Sequence, residues 1–273
     1  MKQVLSIQDL SCLGRCSLTV ALPVISAMGS ACAVLPTAVL STHTGFPSPH
    51  VQPLTENIAP IHAHWQRLDV RFDAVTVGYL ANAEQVRSVL PLLRDHREKG
   101  SLIIADPAMG DHGRLYSGLL PEHVDAMKDI CRSAHILLPN VTEAALLTGM
   151  PYRSDPEDSY LKELAQGLLE LGADAAIVTG FLFPNGEIGF YGIHRQRGSF
   201  SFRNEHIDRR CHGTGDLFAA AFTGGMMTGR TEQESAVLAA RFVRQCVAAT
   251  PEATPYGVAF ESQLPCLWQL LQE

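Results

Sequence analysis

The sequence predicts an α/β fold built on a central, mostly parallel sheet with helices on both faces and an edge hairpin. Three observations carry this. Short apolar runs of strand length recur at 3–7, 32–40, 73–80, 101–106, 135–140 and 174–180. Segments with helical periodicity separate most of them. The runs are apolar almost throughout rather than alternating, as strands covered on both faces must be.

Taken in order, "QVLSI" (3–7) is the first strand, and "QDLSCLGRCS" leads from it to a helix over 17–28. "CAVLPTAVL" (32–40) gives a second strand, followed by "STHTGF" and a helix at about 55–68. "DAVTVGYL" (73–80) precedes a helix over 82–98, and "SLIIAD" (101–106) precedes one over 122–133. "HILLPN" (135–140) leads to helices at 142–148 and 157–171, and "DAAIVTG" (174–180) is the last run of this kind. The pattern then changes. "EIGFYGI", "HRQRG" and "SFSFRN" within 187–203 read as an antiparallel hairpin at a sheet edge. Helices over 214–228, 231–249 and 260–271 close the chain. With no repeat, low-complexity tract or Pro/Gly-rich linker, the expectation is one domain over 1–273.

The totals narrow the function. A chain of 273 residues with 46% hydrophobic content fills a sizeable core. A net charge of −7 without a lysine or arginine run argues against a nucleic-acid or anionic-membrane surface. No eighteen-residue apolar stretch is present to span a membrane. "MKQVLSIQDL" enters a strand directly, with no signal-peptide pattern, and seven scattered cysteines point to reduced thiols in a cytoplasmic protein.

In open parallel sheets, ligands gather at the carboxyl ends of the strands. There the sequence places "QDLSCLGRCS", "STHTGF", "GYL", "DPAMGD", "PNVTE" and "TG". Late in the chain, "CHGTGDLFAAAF" (211–222) sets a glycine turn and Asp216 before a helix that is apolar on nearly every face. A glycine turn at a helix start can seat an anion such as phosphate; equally, Asp216 can be a simple helix cap. Asp106 and Asp111 are either turn residues or carboxylates beside a phosphate-bound magnesium ion. Asn140 and Glu143 have capping-box spacing, which leaves Glu143 able to reach a magnesium-bound water as well. His43 reads as a hydrogen-bonded structural residue or a catalyst. His62 and His64 diverge on a helix, and Cys12 and Cys16 lack the second pair that a zinc site needs. The P-loop, dinucleotide and nucleophile-elbow patterns are absent.

The set of "SIQD", "STHTGF", "GYL", "DP-x-MGD", "PN-x-x-E" and "GTGD" resembles the ribokinase-like superfamily, and within it the pyridoxal kinases, over nearly the whole chain. The resemblance implies a three-layer α/β/α kinase that moves the γ-phosphate of ATP to the 5′-hydroxymethyl of a vitamin B6 vitamer. It implies Asp216 as base and Gly213, Thr214 and Gly215 as the anion hole. Asp106 and Glu143 would handle magnesium, with K+ as a further monovalent cation. Asp106, Asp111, Asn140 and Thr179 would line the nucleotide side, beneath the hairpin. Asp9, His43, Thr44 and Tyr79 would hold the pyridine ring, with Cys211 and His212 beside them. A homodimer is implied as well.

Two positions depart from the pattern. Pyridoxal kinases usually carry serine where this chain has Asp9, and a carboxylate there would favour pyridoxamine or pyridoxine. His212 in "CHGTG" resembles the hydroxymethylpyrimidine kinases, although their N-terminal glycine-rich segment is missing here. That kinase activity, and a non-catalytic vitamer-binding protein on the same scaffold, are the alternatives. Cys211 is read either as a reactive thiol or as a small space-filling residue.

Overall fold

Because the apolar runs have no polar face, the chain must cover each strand from above and below, and the computed structural model does so. It describes residues 1–183, 185–252 and 254–272. The first half comprises β1 (Gln3–Ser11), α1 (Leu18–Ala27), β2 (Ala31–Leu40), β3 (Val51–Pro53), α2 (Thr55–Arg67), β4 (Ala74–Val77) and α3 (Ala83–Glu98). Next come β5 (Leu102–Ala105), the two-residue strands β6 (Gly110–Asp111) and β7 (Arg114–Leu115), α4 (Pro121–Ser133), β8 (Ile136–Leu137), α5 (Val141–Thr148) and α6 (Asp158–Glu170). The chain then forms β9 (Ala175–Leu182), β10 (Glu187–His194), β11 (Gly198–Glu205), α7 (Thr214–Met227) and α8 (Glu232–Ala249). A short 3-10 turn (Glu261–Gln263) and α9 (Leu264–Leu270) follow.

The main sheet runs β11-β10-β9-β8-β5-β4-β1-β2-β3. The pairs joining β9, β8, β5, β4, β1 and β2 are parallel, whereas β3, β10 and β11 each pair antiparallel. The expected hairpin therefore exists, and β11 is one edge of the sheet. Alternating strand residues feed two cores. Leu5 and Ile7 of β1 join a core with Ile58 of α2, Val89 of α3, Met127 of α4, Ala144 of α5 and Leu164 of α6. Val4 joins one on the opposite face with Val24 of α1, Phe222 of α7, Phe242 of α8 and Leu267 of α9. That is a three-layer α/β/α arrangement. No helix is long and apolar enough to cross a membrane among the described residues, and all seven cysteines are free thiols.

Several elements differ from the sequence reading, among them the edge strand β3, which was not expected. β1 continues to Ser11, so Asp9 lies within a strand rather than in the loop after it. Its pairing with β2 shifts register between Gln8 and Leu10, a local irregularity that lets the strand bend at the site. The ribbon β6–β7 was not expected; a two-residue strand carries too short a pattern to read. The last helix starts as a 3-10 turn before α9.

Candidate active site

The loops after the parallel strands converge on the start of α7. Leu217 through Gly225 of that helix are all buried, so its position is dictated by packing on both sides. Gly213 precedes it at φ 81°, and a Cβ there would collide with the Arg15 carbonyl. Glycine is thus required by backbone conformation and by the close approach of the first loop. No side chain caps α7, and its first-turn residues Thr214 and Gly215 present the helix N-terminus to the cleft. Asp216 does not serve as that cap. Its carboxylate instead faces the Ser17 backbone N–H.

Four carboxylates gather here without a lysine or arginine paired to any of them among the described residues. Asp9 is 4% exposed; its Oδ1 accepts from the Ser17 hydroxyl at 2.6 Å and its Oδ2 from the Ser11 hydroxyl at 3.2 Å. Burial raises its pKa, and these hydroxyls oppose the rise. Burial pushes Asp216 up to about 6; the Ser17 N–H opposes this and the charge of Asp9 adds to it. Burial, then repulsion from Glu143 and Asp216, holds Asp106 well above the usual carboxylate range. Glu143 is raised by burial too, although three backbone N–H groups favour its charge.

Those three donors define what Glu143 does structurally. Its Oε1 accepts from Met109 N at 3.1 Å and Gly110 N at 3.5 Å, and its Oε2 from Asn140 N at 2.8 Å. The expected capping box is present, because Asn140 Oδ1 accepts from Glu143 N at 3.0 Å. Asn140 Nδ2 donates to the Gly110 carbonyl at 2.8 Å, so this pair clamps the loop after β5. Asp111 sits exposed in β6 and accepts from His112 N at 2.8 Å. Thr179 bridges to Asn140 across the end of β9, with its N–H on the Pro139 carbonyl at 2.9 Å.

A second group lies beside Asp9. Tyr79 is half-buried, its phenol raised by burial and by the Asp9 charge. His43 is buried: its Nδ1 accepts from Gly45 N at 3.1 Å, which leaves the proton on Nε2 to donate to the Pro255 carbonyl at 2.9 Å. Burial lowers its pKa and His212 adds repulsion, while the bond to Pro255 works the other way. Its centroid is 4.8 Å from those of His212 and Phe46. Thr44 and His212 are exposed. Cys211 is half-buried against the core under α7, its thiol raised by burial, which fits the space-filling reading better than the reactive one.

Sequence reasoning missed three contributors. The Ser17 hydroxyl donates to Asp9, and its N–H is turned toward Asp216. Tyr116 stands within the field of Glu143, Asp106, Asp111 and Asp216, its phenol raised chiefly by burial. The Pro255–Tyr256 loop supplies carbonyls to His43 and to Arg15 N, the latter at 2.8 Å. A serine among "GRCSL" carried no signal beyond loop composition.

Among the described residues, no three His, Cys, Asp or Glu side chains are spaced to enclose a metal by themselves. Two acidic side chains that repel each other in a partly buried cleft nevertheless suit a magnesium ion, which takes oxygen ligands and leaves the rest of its shell to water and phosphate.

The family model for phosphomethylpyrimidine kinase matches residues 21–259. The chain belongs to this family. The fold is shared almost throughout with a Bacteroides thetaiotaomicron protein solved with pyridoxal, which is 34% identical, with a TM-score of 0.92 over 98% of this chain and 95% of that one. Pyridoxal kinase from Lactobacillus plantarum is 31% identical, with a TM-score of 0.89 over 99% and 98%. The pyridoxine/pyridoxal/pyridoxamine kinase of Bordetella bronchiseptica is 31% identical over 92% of this chain and 90% of its own length. The three-layer architecture is thus that of the ribokinase-like pyridoxal kinases, and this family member is a phosphotransferase acting on an alcohol group.

Proposed function

We propose that the protein is an ATP-dependent kinase that phosphorylates the 5′-hydroxymethyl of a vitamin B6 vitamer, in salvage of pyridoxal 5′-phosphate. The observation that carries this is the placing of Asp216 behind an uncapped glycine turn, next to a buried carboxylate, Asp9, that has no basic partner. Phosphoryl transfer needs positioning and neutralisation of charge more than covalent chemistry.

In this reading Asp9 and Tyr79 hold the polar edge of the pyridine ring, while His43, Thr44 and His212 form its wall. Asp216 accepts the proton of the 5′-hydroxyl as its oxygen attacks the γ-phosphorus and the bond to the ADP oxygen breaks. The N–H groups of Gly213, Thr214 and Gly215, at the positive end of α7, face the migrating phosphoryl group. Asp106 and Glu143 would hold Mg2+, with K+ a candidate second cation, and the metal would supply charge neutralisation at the phosphates. Asp111, Asn140 and Thr179 shape the nucleotide side; since the Asn140 side chain is already bonded to Gly110 and Glu143, it acts by fixing that loop. We read the protein as a cytoplasmic homodimer, which size-exclusion chromatography with light scattering tests.

A second reading, hydroxymethylpyrimidine as substrate, is favoured by His212 beside the glycine turn and by the match to the phosphomethylpyrimidine kinase family model. ADP release with MgATP over pyridoxal, pyridoxine, pyridoxamine and hydroxymethylpyrimidine separates the two. Turnover of a B6 vitamer that is lost in Asp216→Asn supports the proposal. Turnover of the pyrimidine alone replaces it, and binding without turnover leaves a vitamer-binding protein.

A further inference from the structure

Ser17 has a backbone that its residue type does not favour. It sits at φ 51°, ψ −126°, a conformation that glycine adopts freely and other L-residues rarely do. The surrounding loop holds it there. The Thr19 hydroxyl accepts from Cys16 N at 3.2 Å and donates to the Cys16 carbonyl at 2.7 Å. Arg15 is tied to the Tyr256 carbonyl and, through its side chain, to Glu261. The Ser17 carbonyl accepts from Val20 N at 3.0 Å and Ala21 N at 2.9 Å, which starts α1 directly behind the strained residue. The side chain is 5% exposed.

A glycine at this position would relieve the backbone, so the hydroxyl has to offer something in return. It donates to Asp9 Oδ1 at 2.6 Å, while the N–H of the same residue faces the carboxylate of Asp216. One residue therefore bonds one carboxylate and turns its N–H toward the other, the two on which the kinase reading depends. The groups that face Asp9 are Ser11, Ser17, Cys16, Tyr79 and Asp216, and none of them is basic. Among the described residues no basic group meets Asp9, so any positive charge that pairs with it would come from a ligand, and the two serine hydroxyls decide which lone pairs of Asp9 are left to meet it.

We propose that Ser17 is a positioning residue that yokes Asp9 to Asp216, so that a cationic nitrogen bound at one carboxylate is held in register with the hydroxyl facing the other. This rests on the kinase reading and specifies how that site selects a protonated amine or pyridinium. Strain at Ser17 is retained because glycine, the relaxed alternative, has no hydroxyl to orient Asp9.

The test is Ser17→Gly, with Ser17→Ala beside it. Glycine suits the backbone at least as well as serine, so the fold is kept and the melting temperature stays level or rises. Calorimetry with pyridoxamine in the absence of nucleotide should show Kd raised about tenfold in both variants, the loss of one hydrogen bond to a charged group. The KM for MgATP should stay within about twofold, which a general disturbance of the cleft would not allow. An unchanged pyridoxamine Kd in Ser17→Gly overturns this inference and leaves the kinase reading standing. So does a loss confined to Ser17→Ala, which would assign the effect to the backbone. Failure of the unaltered protein to bind any vitamer overturns the kinase reading, and this inference with it.

Discussion

The two ends of the sheet treat their acids in opposite ways. At the amino ends of the strands, each buried or half-buried carboxylate has a basic neighbour. Glu232 pairs with Arg197 and lies 4.0 Å from His194, Asp95 meets His62 and Lys99 at 3.1 Å, and Asp73 meets Lys2 at 2.7 Å. Lys2 holds Asp73 below its ordinary range; burial works the other way at Asp95, yet His62 and Lys99 prevail. At the carboxyl ends, Asp9, Asp106, Glu143 and Asp216 are all raised, chiefly by burial, with Glu143 and Asp216 adding to the rise at Asp106 and Asp9 adding to it at Asp216. Cavities of about 580 and 330 Å3 open at the amino end, and no residue of the carboxylate cluster lines either. What marks the site is uncompensated charge rather than these two cavities.

The largest expected effect breaks the comparison if it fails. Asp216→Asn should reduce kcat about 10²- to 10⁴-fold, the range for loss of a general base, whereas Glu232→Gln should leave kcat unchanged. Equal losses in the two variants would mean that the amino end also takes part in turnover. Next, Asp9→Ser should shift the ranking of vitamers away from pyridoxamine by about tenfold in kcat/KM, as expected for one charge-assisted contact. An unchanged ranking removes Asp9 from recognition.

The pH dependence sharpens the contrast. Asp216 titrates near 6 in the folded protein against 3.8 for its ordinary value, so kcat/KM should fall as pH drops below about 6. The same shift has a consequence for stability. The folded-state value is raised, so ionisation of Asp216 weakens the fold as pH rises from 3.8 through 6. Asp216→Asn should therefore be more stable than the unaltered protein above pH 6, by about 1–3 kcal/mol, and the gap should close below pH 4. Thermal unfolding across that range measures it. A variant that is less stable at pH 7 would show that the carboxylate is stabilised rather than strained.

At the amino end the sign reverses and the effects are smaller. Removing the charge in Glu232→Gln should cost about 1–3 kcal/mol of stability at pH 7, because its partners Arg197 and His194 are left behind. Lys2→Ala breaks an ion pair whose lysine is 57% exposed, and should cost no more than about 1 kcal/mol, less in high salt.

How far these features could be read without coordinates follows from their range along the chain. Each of the six apolar runs contains a strand of the sheet, and the hairpin and helices fell close to where periodicity put them. The capping box of Asn140 and Glu143 was legible because its geometry is set within one helical turn. The turn before α7 was legible too, since glycine, a carboxylate and an unbroken apolar run each leave a local mark. The extension of β1 through Asp9 was not: polar residues at a strand end look like loop until the neighbouring strand is in place to pair with them. His43 was left open between structure and catalysis, and its partner, the Pro255 carbonyl, is 212 residues away.

By itself, the sequence determined the order of the main strands and helices, the two-faced burial of the sheet and the cluster of polar loops at one end of it, because these depend on apolar periodicity and on turn chemistry spanning a few residues. Only the tertiary structure decided which carboxylates share a cleft, that Asp216 faces Ser17 instead of capping its own helix, and that Ser17 spans two acids. Those relations join segments about 200 residues apart in the chain, and electrostatic energy depends on distance and burial in space, neither of which sequence separation reports.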